Sequence, residues 1–226
     1  MHFIPKKLAP FFFLSSVLLA DPVGQQQCKD FVKTELPAIP GWCSAKKAEA
    51  MMDLIFATRP DHCVEIGVFG GSSLFPTAYA LKFLNHGIVY GIDAWSPIEA
   101  IRYYPENSIH RDWWAQQNLD FLHQSCLKLI SRHGLNTYCT LIKNTFASAL
   151  DQIAPIDILH IDATHTNEGD FIDAIPYIQK VKKMGYIWFD GWPNSPDTYE
   201  YLKPRCTIQK VVDSGNCILL QKLVED

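Results

Sequence analysis

The chain has 226 residues, 48% of them hydrophobic and 19% charged, with a formal net charge of −4. That size and balance fit one globular domain with a substantial core. A mildly acidic chain of this kind offers no electrostatic case for nucleic acid as a partner.

Residues 1–20 begin with Lys6 and Lys7 and continue as an apolar run from Leu8 to Ala20 that contains Phe11, Phe12 and Phe13. A basic start, a short apolar stretch and a small final residue form the pattern of an export signal, although Leu18 suits a cut after Ala20 poorly. The stretch is too short for a comfortable membrane span. An exported protein, secreted or periplasmic, with no stable span after processing is therefore expected; an uncleaved anchor and a cytoplasmic chain with an apolar arm are the alternatives. Residues 21–43, polar and marked by Pro22, Pro37 and Pro40, read as a linker or strap, and the folded domain is expected over 44–226. Seven cysteines are present. Cys63 on a strand and Cys126 on an apolar helix face read as buried thiols, and Cys28 with Cys43 is the one pairing that suits a disulfide. No Cys-x-x-Cys occurs, so neither zinc nor thioredoxin chemistry is indicated.

Ser44 is a good N-cap for a helix to about residue 58, with Ala48, Met51, Met52, Leu54 and Ile55 as its apolar contacts. A strand over 62–66 leads into a glycine turn at Gly67, Gly70 and Gly71, then a helix over 72–84 that Ser72 or Ser73 can cap. A strand over 88–92 follows. The spacing of Ala115, Leu119, Leu122, Cys126, Leu129 and Ile130 predicts a single helix over 110–133 ending at Gly134. Beyond it come a strand at 137–142, a helix at 146–152, a strand at 157–161, a helix from 168 and a strand at 185–189. A short helix capped at Ser195 and strands at 206–212 and 217–222 close the chain; the turn from Asp213 to Asn216 would pair Val212 with Cys217. Such alternation predicts an α/β fold with a doubly wound, mainly parallel Rossmann-like sheet and an antiparallel C-terminal edge hairpin.

A strand–glycine turn–helix unit presents free helix-start N–H groups at the carboxyl edge of a sheet, where ligands bind. The turn has neither the dinucleotide spacing Gly-x-Gly-x-x-Gly nor the phosphate-loop lysine. Glu65 ends the first strand and Asp93 the second, and an acid about 20 residues beyond such a turn suits a ribose diol. The blander reading is a tight turn whose acids cap loops. Asp162 and Asp190 end two further strands, so they converge on the same crevice, where two carboxylates can bind Mg²⁺. His165 shares that rim, and an imidazole of pKa near ~6.5 can take a proton. Against this stand turn-capping aspartates and an ordinary solvated histidine. Trp95, Tyr103, Tyr104, Trp113 and Trp114, with Trp192, either roof an acceptor pocket or pack against the long helix.

Residues 65–73, Glu-Ile-Gly-Val-Phe-Gly-Gly-Ser-Ser, resemble motif I of class I S-adenosylmethionine-dependent methyltransferases, particularly the catechol and caffeoyl-CoA O-methyltransferases. Residues 158–165 and 185–191 resemble the macrocin-type branch, methyltransferase family 24, and the likeness covers roughly residues 44–223. The resemblance implies S-adenosylmethionine as cofactor, held by Glu65, Gly67, Gly70, Gly71, Ser72, Ser73, Asp93, Asn144 and Asp162. It implies Asp162 and His165 as catalytic residues, Mg²⁺ at Asp162 and Asp190 as an optional second cofactor, and a small hydroxylated molecule as acceptor. A homo-oligomer is compatible with it. The chain departs from the pattern at Ala163, at Asn167, at Met184 before Gly185, and above all at Gly191, where metal-dependent relatives place Asp or Asn. Two rival functions are an exported binding or effector protein that keeps the fold without turnover, and, more remotely, a nicotinamide oxidoreductase suggested by the spacing of Tyr199 and Lys203.

Overall fold

A computed structural model describes residues 21–225, so the export-signal segment at 1–20 lies outside the described residues. Where a linker or strap was expected, the chain forms α1 (Pro22–Glu35). Asp21 caps it, accepting from the Gly24 N–H at 2.9 Å, and Pro22 sits where its missing N–H costs nothing. Cys28 and Val32, one turn apart, are buried against α2 (Ala45–Thr58) and α3 (Leu74–Leu84). One narrow apolar stripe is easily lost in a polar average, which is why the segment reads as linker. Cys28 and Cys43 are free thiols rather than a disulfide. Cys28 faces the core, while Cys43 stands at the entry to α2 with its Sγ 3.7 Å from the Ser44 carbonyl.

Beyond α2 the alternation runs as expected through β1 (His62–Ile66), α3, β2 (Ile88–Asp93) and the single turn α4 (Pro97–Ala100). The helix predicted over 110–133 is two, α5 (Ile109–Ala115) and α6 (Leu119–Arg132). Asn118 makes the break, its side chain accepting from the Phe121 N–H at 3.0 Å to start a fresh N-terminus. Next come β3 (Cys139–Lys143), α7 (Phe146–Ala149), β4 (Ile156–Ile161), α8 (Asn167–Lys180), β5 (Val181–Asp190), α9 (Pro196–Leu202), β6 (Cys206–Val212) and β7 (Cys217–Lys222). Met184 takes a left-handed φ of 66°, the backbone the expected glycine would have adopted.

Among the described residues seven strands form one sheet in the order β3-β2-β1-β4-β5-β7-β6. β7 runs antiparallel to both its neighbours, with Val212 opposite Cys217 as the turn predicted. Alternate strand residues face opposite cores. Cys63, Val89, Ile158 and Trp188 pack under α1, α2, α3 and α6, whereas Val64, Ile66, Leu159, Ile161 and Phe189 pack under α8 and α9. Strands buried on both faces read as continuous apolar runs. Strand order reverses between β1 and β4, which places the binding crevice at their carboxyl ends. Among the described residues, no helix is long and apolar enough to cross a membrane.

Candidate active site

The strand tips at the reversal are laced together. The Gly67 N–H donates to the Ile92 carbonyl at 2.9 Å and the Asp162 N–H to the Ile66 carbonyl at 3.0 Å. Gly67 has a φ of 87°, and a Cβ there would collide with the Asp162 carbonyl, so only glycine fits. Asp93 fixes the following residues: one carboxylate oxygen accepts from Val68 at 3.0 Å and Phe69 at 2.9 Å, the other from Trp95 at 2.7 Å. Burial pushes the Asp93 carboxyl up against the pull of these N–H groups. The loop-capping role is thus the one its contacts display; about one of its four acceptor sites is left for a ligand.

Two cavities meet at this loop, sharing Gly67, Phe69, Trp114, Asp162 and Ala163 in their walls. The smaller, about 90 Å³, is bordered by Asp93, Thr145, Phe146 and Ala147; Asn144 is not in its wall but accepts from the Thr145 N–H at 2.9 Å. The larger, about 620 Å³, is bordered by Ser72, Ser73, Lys47, His165, Asp190 and Gly191. Gly70 and Gly71 border neither. A Cβ on Gly70 would strike Pro40, and one on Gly71 would press on the Cys126 sulfur, so these two serve close packing. Neither serine caps α3 through its side chain. The Ser73 hydroxyl donates to Glu65 at 2.6 Å, and the Ser72 hydroxyl accepts from the Cys43 N–H at 3.2 Å. Glu65 is buried beneath the site rather than in its wall, its second oxygen 3.2 Å from His160 Nδ1.

Asp162, His165 and Asp190 do come together. His165 Nε2 lies 3.1 Å from an Asp162 oxygen, and His160 Nε2 lies 2.7 Å from Asp190. Lys47, reaching in from the first turn of α2, contacts that same Asp190 oxygen and stands 3.7 Å from Asp162. Burial alone would raise the Asp162 carboxyl, yet Lys47 and His165 outweigh it and hold the group well below the ordinary carboxylate range. Burial likewise opposes a charged His165, and its contact with Asp162 more than compensates, leaving the imidazole above its usual value. His165 has a φ of 53° and its N–H donates to Asp170 at 3.1 Å, so the backbone as well as Asp162 aims the ring. Its Nδ1 is buried without a hydrogen-bond partner among the described residues.

Mg²⁺ does not fit these residues. It asks for near-octahedral oxygen ligands at about 2.0–2.1 Å. Ligand atoms of His160, Asp162 and Asp190 do lie within 4.8 Å of one another, but one is a nitrogen and Lys47 already occupies the carboxylates. Gly191 supplies no ligand, and the His165 ring fills the space a side chain there would need.

Above this floor, Trp42, Phe69, Trp113 and Trp114 form a contiguous aromatic wall with ring centroids 5.0–6.2 Å apart. Of the aromatic residues singled out in the sequence, Tyr104, Trp113 and Trp114 border the larger cavity, and Tyr103 borders the smaller. Trp95 is buried below the loop, its indole N–H on the Phe69 carbonyl at 2.8 Å. Trp192 turns away to pack on Tyr199.

A family model described as a methyltransferase domain matches residues 64–192, more than half of the chain. The chain belongs to this methyltransferase-domain family. No curated protein sequence matches it. Solved structures share the fold at low identity. The Bacillus cereus O-methyltransferase in complex with SAH is 16% identical, with 94% of this chain and 96% of that one covered at a TM-score of 0.58. TomG of Streptomyces achromogenes, an O-methyltransferase of tomaymycin synthesis in complex with SAM, is 16% identical, with 93% of each chain covered at a TM-score of 0.57. The O-methyltransferase NovP is 12% identical, with 89% of this chain and 99% of that one covered at a TM-score of 0.68.

The segment matched by the methyltransferase family holds the glycine turn, Asp93, Asp162, His165 and Asp190. Lys47 and Trp42 lie ahead of it and complete the site from outside. Sequence reasoning passed over both, and His160 as well. Their signals were present: Lys47 shares the stripe of Met51 and Ile55 on α2, four residues apart, and His160 interrupts an apolar buried strand.

Proposed function

We propose that this protein transfers the methyl group of S-adenosylmethionine to a hydroxyl group of a small molecule. The carrying observation is the pairing of Asp162 with His165 on the floor of a cavity that continues past Gly67 into a second one at the tips of β1 and β2. The fit to the cofactor rests on that joined hollow, whose two parts share Gly67, Phe69, Trp114, Asp162 and Ala163 in their walls.

S-adenosylmethionine, when bound, supplies an already activated methyl group. The chain's own residues position the acceptor and take its proton. As the acceptor oxygen took up that methyl group, with the thioether as leaving group, its hydroxyl proton would pass to His165. Asp162 accepts from Nε2–H, which fixes the tautomer, and the Nδ1 lone pair serves as the base once the ring swings off the Gly191 Cα toward the acceptor. The aromatic wall offers ring faces to a flat or apolar acceptor.

Calorimetry with S-adenosylmethionine on the full chain tests the cofactor, and a methyl-transfer assay against a panel of phenols and alcohols tests the reaction. Binding with turnover that falls by about 10²–10⁴ in His165→Ala is expected, the usual worth of a positioned base. No binding at millimolar cofactor would overturn the reading. Binding without transfer would favour the non-catalytic alternative.

A further inference from the structure

Asp162 and Asp190 stand at neighbouring strand tips, where two carboxylates repel unless something positive lies between them. Lys47 lies there. It is 3% exposed, touches Asp190 and is 3.7 Å from Asp162. His160 takes the same Asp190 oxygen at 2.7 Å, so that carboxylate is spent on protein donors. The position of a third acidic ligand is Gly191, and the His165 ring lies over it. The lysine is held from behind as well. Met51 and Ile55, one and two turns further along α2, are buried, and the Ser44 hydroxyl that caps α2 donates to Asp213 in the turn between β6 and β7. A lysine ammonium is a compact point charge with three donors, suited to bridging separate carboxylates.

We propose that Lys47 holds the place of a divalent cation in this site, so that the protein works without metal and the ammonium bridges and orients Asp162 and Asp190 beneath the acceptor. The catalytic half of this inference rests on the methyl-transfer reading; the exclusion of metal rests on geometry alone. Lys47 acts through Asp162, which in turn aims His165, and is thus a positioning residue.

The test uses the full chain, stripped with EDTA and titrated with Mn²⁺ to millimolar concentration, with the EPR signal of the free ion as readout. The wild-type protein is expected to leave that signal unchanged, and its thermal midpoint and methyl transfer are expected to be the same in EDTA and in Mn²⁺. Lys47→Ala is expected to take up Mn²⁺ through His160, Asp162 and Asp190 and to gain thermal stability from it, since an ion that binds only the folded state stabilises it. Its transfer rate should fall on the order of a hundredfold, the effect of misplacing the Asp162–His165 pair by about an ångström. Stoichiometric Mn²⁺ uptake by the wild-type protein would overturn the proposal. So would Lys47→Ala and Lys47→Met variants that fold yet bind no Mn²⁺. Should Lys47→Ala fail to fold, Lys47→Met keeps the apolar stem and carries the same measurement. A wild-type protein with no methyl transfer under any condition would sink the methyl-transfer reading, while the Mn²⁺ titrations would still decide the cation.

Discussion

The ring of His165 rests on the bare Cα of Gly191, so closely that a Cβ at that position would run into Nδ1. Gly191 also has a φ of 65° and donates its N–H to the Asn216 carbonyl at 2.9 Å. Gly191→Asp, which supplies the acid that the resemblance leads one to expect here, should therefore displace the imidazole rather than build a metal site. Methyl transfer should fall about 10–100-fold, the effect of misplacing a catalytic group by roughly an ångström. Gly191→Ala should lose a similar amount, and Mg²⁺ should rescue neither. Rates with and without the ion check this.

His165 sets a pH dependence. Its contact with Asp162, working against burial, holds the imidazole above the ordinary 6.5. The base form therefore accumulates as pH rises through that raised value, and kcat should rise with it. Asp162→Asn removes the partner and should move the inflection downward. The same linkage sets stability: the raised pKa stabilises the fold fully below 6.5, and that contribution is lost as pH rises through the folded value. The His165 Cε1 proton resonance, followed across pH in both proteins, reads the shift directly.

Asp173, on α8 in the wall of the smaller cavity, is pushed up to about 6 by burial, with Arg102 pulling the other way. Its folded value lies above its unfolded one, so the unfolded chain gives up the proton first. Stability is lost as pH rises from about 4 to above 6. Asp173→Asn should raise the thermal midpoint at pH 7 by ~2–4 °C, about 1 kcal/mol once partial exposure is discounted. The gain should vanish near pH 4, which a pair of melting curves tests.

Trp42 is 68% exposed and Trp113 41%, yet both belong to the aromatic wall. Trp42→Ala should leave the melting temperature nearly unchanged and raise the acceptor KM by ~2–10-fold, the equivalent of about 0.5–1.5 kcal/mol for an aromatic contact. Cofactor affinity, measured by calorimetry, should not move.

The centre of the sheet was legible in the sequence because β1, β2 and β4 are short apolar runs, and the closing hairpin because its turn fixes its register. The mostly exposed start of β5 at residues 181–184 was not, since it follows α8 directly with no turn residue and carries two lysines. Asp162, His165 and Asp190 were legible for the same reason: strand ends in such a sheet must converge. Roles within the site were less so. Gly70 and Gly71 look like cofactor-facing glycines until Pro40 and Cys126 are seen against them. Ser73 reads as a cap although its hydroxyl serves Glu65. The break before Leu119 was hidden because α5 and α6 carry apolar residues in nearly continuous helical phase. Lys47 was the largest omission. Its meaning depends on two carboxylates more than a hundred residues away, and no local pattern carries that.

The turn between β6 and β7 has a reach out of proportion to its size. Asp213 accepts from Ser44 at the head of the lysine-bearing helix, the Asn216 carbonyl accepts from Gly191 under the imidazole, and the Gly215 carbonyl accepts from the Trp192 indole. One short loop at the sheet's edge thus clamps the supports of both the ammonium and the base. Lengthening it by a residue would change the spacing between those two groups while leaving each of them, and every strand, untouched.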